Sequence, residues 1–208
     1  MTNLAHWDRF ADIDPQFTKP ITGKQYKGTS PNPQYVIRCL TEMFGPVGHG
    51  FGWDVVAEDF IPLGDEVLHW CRIKFWHTDR SNTFDAYGQT KALMKTRNGM
   101  MMDEDAPKKS LTDAIIKAAS QIGIAANIFL GRWDDQKHVA KVEAEYRAED
   151  RKAEADAAQI AIDSLNSAAT IEAMAAIWSD LPRNIQADRR VIAAKDQRKN
   201  ELQPKAAA

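Results

Sequence analysis

Lys108-Lys109-Ser110-Leu111-Thr112-Asp113-Ala114-Ile115-Ile116-Lys117-Ala118-Ala119-Ser120-Gln121-Ile122-Gly123 joins a helical apolar stripe to a basic entry and a glycine stop. Leu111, Ile115, Ala118, Ala119 and Ile122 recur at three- and four-residue steps. They therefore share one helix face, and that face belongs on a core. Lys108, Lys109 and Lys117 fall on or beside the other faces. Asp105 or Ser110 can cap the start, Pro107 suits a first helical turn, and Gly123 can take the left-handed conformation that closes the end. The residues before this helix decide what it covers.

From Trp53 to Tyr87 the apolar period is two, the signature of strands. Trp53–Val56, Val67–His77 and Ser81–Tyr87 read as three strands, with a turn at 78–82 between the last two. Alternation in the middle strand puts His69, Cys71, Ile73, Phe75 and His77 on one face and Trp70, Arg72, Lys74 and Trp76 on the other. Upstream, a helix is expected over Asn32–Phe44, opened by Ser30-Pro31-Asn32-Pro33 and closed by Gly45-Pro46, with Arg38 off its buried stripe. Residues 1–31 read as a loop-rich arm whose stretch from Phe17 to Ser30 holds Lys19, Lys24 and Lys27 and no acid. Between the strands and the long helix, Lys91, Lys95 and Arg97 precede the turn pair Asn98-Gly99, and Met100-Met101-Met102 follows.

Past Gln136 the composition changes to alanine and charges of both signs, a helix-forming mixture with a thin apolar stripe. Helices are expected over 141–161, from a Thr170 cap, and over 183–202 after the Leu181-Pro182 break. The division expected is a domain over 1–140 and a helical interaction module over 141–208. The fold class is α+β: a β-β-β-α core, an antiparallel sheet against a long central helix preceded by a shorter one, with a helical C-terminal tail.

The chain has 208 residues, 44% hydrophobic and 27% charged, and a formal net charge of -2. So mild a charge draws no polyanion by itself, and any such site must come from local clustering. Two cysteines, Cys39 and Cys71, make no disulfide framework and fit a reducing cytosol. The polar, acidic start has no secretory apolar segment, and no run of roughly 18–20 apolar residues offers a membrane span. No phosphate loop follows Gly48-His49-Gly50-Phe51-Gly52, which disfavours an ATP-driven core.

Two surfaces invite chemistry. His69, Cys71 and His77 could form a metal set, but Ile73 and Phe75 lie between them, so core packing is the stronger reading. The opposite face interleaves aromatics with cations, as a surface must to stack bases and hold phosphates; the competing reading is a face covered by a helix or a neighbouring subunit. Asp103-Glu104-Asp105 complements the dipole of the helix it precedes. Asp135-Gln136-Lys137, with Asp113 or Glu104 as a distant carboxylate, is the best support for a metal-dependent nuclease.

Tyr35-Val36-Ile37-Arg38-Cys39-Leu40-Thr41-Glu42-Met43-Phe44-Gly45, with Gly48 and Trp53, resembles the first core helix and exit of the Rad52 family of single-strand annealing proteins, in its bacteriophage and prophage branch. Phe84-Asp85-Ala86-Tyr87-Gly88 resembles the end of that family's third strand, and Leu111-Thr112-Asp113-Ala114 with Lys117 and Ile122-Gly123 its long helix. The resemblance spans about residues 15–140. It implies subunits assembled side by side in a ring or arc, with single-stranded DNA in a basic outer groove and complementary strands annealed without ATP, in phage-type recombination and repair. By position, the family's arm cation falls near Lys19 or Lys24, a lysine before the long helix falls on Arg97, and one of two adjacent helix cations falls on Lys117. Ile116 and Ser120 stand where further cations are expected, so Lys91, Lys95, Lys108 and Lys109 are candidates to replace them.

The DNA-binding residues expected are thus Lys19, Lys24, Lys27, Arg38, Arg72, Lys74, Lys91, Lys95, Arg97, Lys108, Lys109 and Lys117, with Trp70 and Trp76 as stacking platforms. Annealing needs no catalytic residue, metal or cofactor. Expected partners are single-stranded DNA, further copies of the chain and, through 141–208, a host single-strand-binding protein or a phage exonuclease. The expected setting is the cytoplasm of a bacterial host, away from membranes. A nuclease, or an adaptor that binds strands and recruits others through its tail, are the alternatives.

Overall fold

The computed structural model describes residues 4–21 and 28–203. Lys24 and Lys27 lie outside the described residues. The arm holds more regular structure than its turn-forming residues suggest: a short helix α1 (Ala5–Phe10) and two short strands, β1 (Thr18–Pro20) and β2 (Thr29–Pro31), paired antiparallel. Helix α2 (Pro33–Phe44) starts where proline permits, with the Asn32 carboxamide oxygen accepting the backbone N–H groups of Gln34 and Tyr35. Val36, Cys39 and Leu40 are its buried stripe, and Gly45 at φ +96° ends it.

Three long strands follow, β3 (Phe51–Leu63), β4 (Glu66–His77) and β5 (Asp79–Thr96), then a short β6 (Gly99–Met102). They form one antiparallel sheet in the order β3-β4-β5-β6. Each long strand outruns its expected span, because hairpin pairing carries the ladder through polar residues that show no apolar alternation by themselves. The register shifts between Val55 and Ala57 and between Val67 and Leu68, and these irregularities bend the sheet. His69, Cys71, Ile73 and Phe75 are each at most 1% exposed, as the alternation of the middle strand requires.

Helix α3 (Ala106–Gln121) packs on that face, against β5 and β4. Ala106, Ser110, Ala114, Ile115, Ile116, Ala118 and Ala119 are buried, whereas Leu111 and Ile122 are only half-buried. Ser110 does not cap the helix: its hydroxyl is buried and donates to the His69 carbonyl oxygen at 3.2 Å. Asp105 occupies the cap position without a side-chain hydrogen bond to the helix. Gly123, at φ +104°, ends the region in the left-handed conformation, and a Cβ there would lie 2.8 Å from the Trp7 ring, so α1 docks at this corner.

The β4 end makes one pH-dependent contact. His77 stacks on Phe44 at 4.7 Å between ring centroids, and burial, aided by the nearby His6, lowers its pKa from 6.5. A histidine whose folded pKa is depressed costs nothing above about pH 6.5 and progressively destabilises the fold as pH falls through the lower value. Melting curves from pH 7 to pH 5 are expected to show a smaller loss of Tm for His77→Phe than for the parent chain. Equal losses would show that this site contributes nothing to the acid sensitivity.

After a single turn of helix, α4 (Ala126–Phe129), the long helix α5 (Gln136–Ser167) begins. The chain divides into two compact units, Met1–Glu143 and Ala144–Ala208, with α5 contributing to both. In the second unit α6 (Ile171–Asp180), capped by the Thr170 hydroxyl, is followed by α7 (Arg183–Gln186) and α8 (Arg189–Leu202). The single helix expected over 183–202 is broken because the Asp188 carboxylate accepts the Arg190 N–H and starts α8 afresh. Ala158, Ala161, Leu165, Ala168, Met174, Ile185 and Val191 make a small core, and the Arg198 guanidinium donates to the Ala168 carbonyl oxygen from α8.

Candidate nucleic-acid interface

Pairing register sets what stands together on the sheet face away from α3. Lys74 lies opposite Asp85 on β5 and Asp54 on β3; Arg72 lies opposite Tyr87, and Trp70 opposite Gln89 and Asp59. Residues directly opposite share a face and touch. The cations of this face therefore sit among carboxylates, and the Arg72 guanidinium is 3.7 Å from Asp85. That arrangement weakens the case for Arg72 and Lys74 as phosphate ligands, a balance that the pattern of β4 alone does not reveal.

Trp76 does not serve as a stacking platform. It is 4% exposed, its ring lies against Gly52, where a Cβ would come within 2.8 Å, and Arg80 covers it at 4.8 Å. Trp70 does keep a half-buried surface and stacks, offset, on Tyr87 at 6.4 Å and 29° between planes. Tyr87 is 56% exposed.

These two rings form one wall of a recess of about 390 Å³ completed by Gly88, Gln89, Asp113 and Lys117. The recess forms because β6 pairs with β5 only over Leu93–Thr96, leaving the outer edge of β5 without a strand partner over 79–92 among the described residues. Gly88 lets α3 close on that edge: a Cβ there would sit 2.0 Å from the Ser110 carbonyl oxygen and 2.4 Å from the Ala114 nitrogen. Asp113 then reaches the edge and accepts the Gln89 backbone N–H at 3.3 Å on Oδ2. One turn on, the Lys117 ammonium lies over the Phe129 ring at 4.4 Å and is exposed.

The remaining cations divide by partner. Lys91 pairs with Glu66, Lys108 with Asp105 and Lys109 with Asp103, at 2.6–2.8 Å. Lys91 and the Lys95 backbone N–H hold the Glu66 carboxyl below its usual range, and the Asp105 carboxylate raises the Lys108 ammonium. Among the described residues Lys19, Arg38, Lys74, Lys95, Arg97 and Lys117 have no carboxylate partner; Arg38 lies over Tyr35 at 5.7 Å. Ile116, where a cation is expected from the resemblance, is 9% exposed and belongs to the core, so a charge there would be buried without a partner.

His69 and Cys71 are buried in the α3 face, and burial raises the Cys71 thiol. Among the described residues no three His, Cys, Asp or Glu converge as a metal shell. Asp135 accepts the Lys137 backbone N–H in an ordinary helix-start turn. Tyr87, Gly88, Gln89 and Asp113 are the recess residues missing from the expected DNA contacts; the signal for Tyr87 and Gln89 is register, since they lie opposite Arg72 and Trp70. The chain matches no protein-family model and no curated protein.

Proposed function

We propose that the first unit binds single-stranded DNA and anneals complementary strands without ATP, as an oligomer of the Rad52 type. The observation that carries this reading is the half-buried Trp70 stacked on the exposed Tyr87 in a recess beside Lys117, with Lys19, Arg38, Lys95 and Arg97 elsewhere on the unit left without an ion-pair partner among the described residues. Aromatic faces hold bases of any sequence, and cations hold the backbone that joins them. Specificity for the second strand then comes from base pairing, and the protein needs no nucleophile.

Support for an oligomer comes from the sheet. Among the described residues β3 is an edge strand of the sheet, laddered with β4, and α3 packs on β5 and β4 instead of on it. On β3, Val55 and Phe60 lie on the α3-side face, Ile61 and Leu63 on the other, and Val56 at the register shift, and each is at least 40% exposed. Exposed apolar side chains on an edge strand offer a docking surface, and the outer edge of β5, without a strand partner over 79–92 among the described residues, offers backbone groups on the opposite side of β4. Two unlike edges on one chain suit head-to-tail association, which closes into rings or runs as arcs. The second unit, with its own small core, suits a tethered interaction element whose partner, a single-strand-binding protein or an exonuclease, remains part of the proposal.

Titrating a labelled strand across a salt series tests the binding mode. Arg97→Ala and Lys19→Ala are each expected to weaken binding to all sequences alike and to reduce the slope of log K against log salt by about 0.7, the share of one single-strand phosphate contact. An unchanged slope removes the residue from the interface. Strands shortened in the presence of Mg²⁺ would favour the nuclease instead.

A further inference from the structure

Asp113 is out of place in a surface that holds phosphates. A carboxylate repels the backbone, so its presence beside Trp70, Tyr87 and Lys117 calls for a different ligand group. Its Oδ2 accepts the Gln89 N–H from the β5 edge, which aims the carboxylate into the recess; its Oδ1 has no hydrogen-bond partner among the described residues. The side chain is thus held by backbone and presents acceptors next to an aromatic wall.

Resting on the single-strand reading above, we propose that the recess seats one guanine base of the bound strand per protomer and reads its Watson–Crick edge through Asp113. Guanine alone among the four bases carries two adjacent donors on that edge, N1–H and the 2-amino group, and a carboxylate offers two adjacent acceptors. Cytosine and adenine each set an acceptor nitrogen beside their amino group, and thymine sets carbonyl oxygens on both sides of its N3–H; each of these meets a carboxylate with at least one repulsive contact. The exposed face of Tyr87 stacks the seated ring, the Gln89 side chain lies at the same opening, and Lys117 is placed for the adjoining phosphate. A base so held is masked, and an incoming strand reaches it only after pairing with its neighbours, so annealing would begin on the bases between seated guanines.

The test uses the full chain and labelled strands of equal length: oligo-dT, dT with guanines interspersed, and the same strand with each guanine replaced by hypoxanthine, which lacks the 2-amino group. Lithium buffer avoids guanine quadruplexes. Fluorescence anisotropy is expected to give binding to the guanine strand tighter than to oligo-dT by roughly fivefold or more, the value of a bidentate base contact. The hypoxanthine strand should lose most of that gain, and Asp113→Asn should bring the guanine-to-thymine ratio to about one. Equal affinity of the parent chain for all three strands overturns the guanine assignment and leaves the single-strand reading standing. Binding to none of them removes both. Binding of dGMP alone as tightly as the guanine strand assigns the recess to a free nucleotide and overturns the proposal.

Discussion

Gly88→Val is expected to cost the first unit about 3 kcal/mol or more, the upper end of overpacking, and so a large part of a typical domain's stability of about 5–15 kcal/mol. The reason is geometric. A Cβ at this position would lie 2.0 Å from the Ser110 carbonyl oxygen and 2.4 Å from the Ala114 nitrogen, both backbone atoms of α3. No side chain can rotate out of the way; the helix itself has to lift from the strand. Lifting it exposes Ile115, Ala118 and Ala119 and breaks the hydrogen bond from Ser110 to the His69 carbonyl oxygen. Urea unfolding followed by tryptophan fluorescence measures the loss, and a change under 1 kcal/mol would mean that α3 does not seat on β5 as described.

Tyr87→Ala should spare the fold and weaken strand binding. The side chain is 56% exposed and its removal opens no core cavity. What is lost is one stacking face, worth about 1–3 kcal/mol, or roughly 5- to 150-fold in affinity. Because no cation is removed, the salt slope should stay where it is, which separates this variant from Arg97→Ala. Tyr87→Phe keeps the ring and should bind like the parent. Full affinity for Tyr87→Ala would take the recess out of the interface.

Elements whose signal is local were legible in the sequence. The α2 boundaries follow from Asn32, Pro33 and Gly45, and the buried face of β4 from strict alternation. The α+β class, with a sheet covered by a helix, follows from the change of period between Tyr87 and Leu111. Elements set by pairing were not. The length of β3 and β5, the strand β6 and the burial of Trp76 depend on which residue lies opposite which, and a single strand's pattern carries no register.

The site divides along the same line. Trp70 is visible in the alternation of β4, and Lys117 through the resemblance of its helix. That Arg72 pairs with Asp85 and Lys74 stands opposite Asp54 and Asp85, and that Lys108 and Lys109 pair with Asp105 and Asp103, is visible only once the chain is folded. The same folding brings Asp113 from the helix to the strand edge, 24 residues away from its Gln89 partner.

Mixing two complementary strands carrying a donor and an acceptor dye tests annealing directly. With the protein present and no nucleotide, energy transfer should rise many times faster than for the strands alone, with both strands recovered at full length and the acceleration fading as salt increases. Strands that bind yet pair no faster than in buffer, or that are recovered shortened when Mg²⁺ is added, would contradict the account.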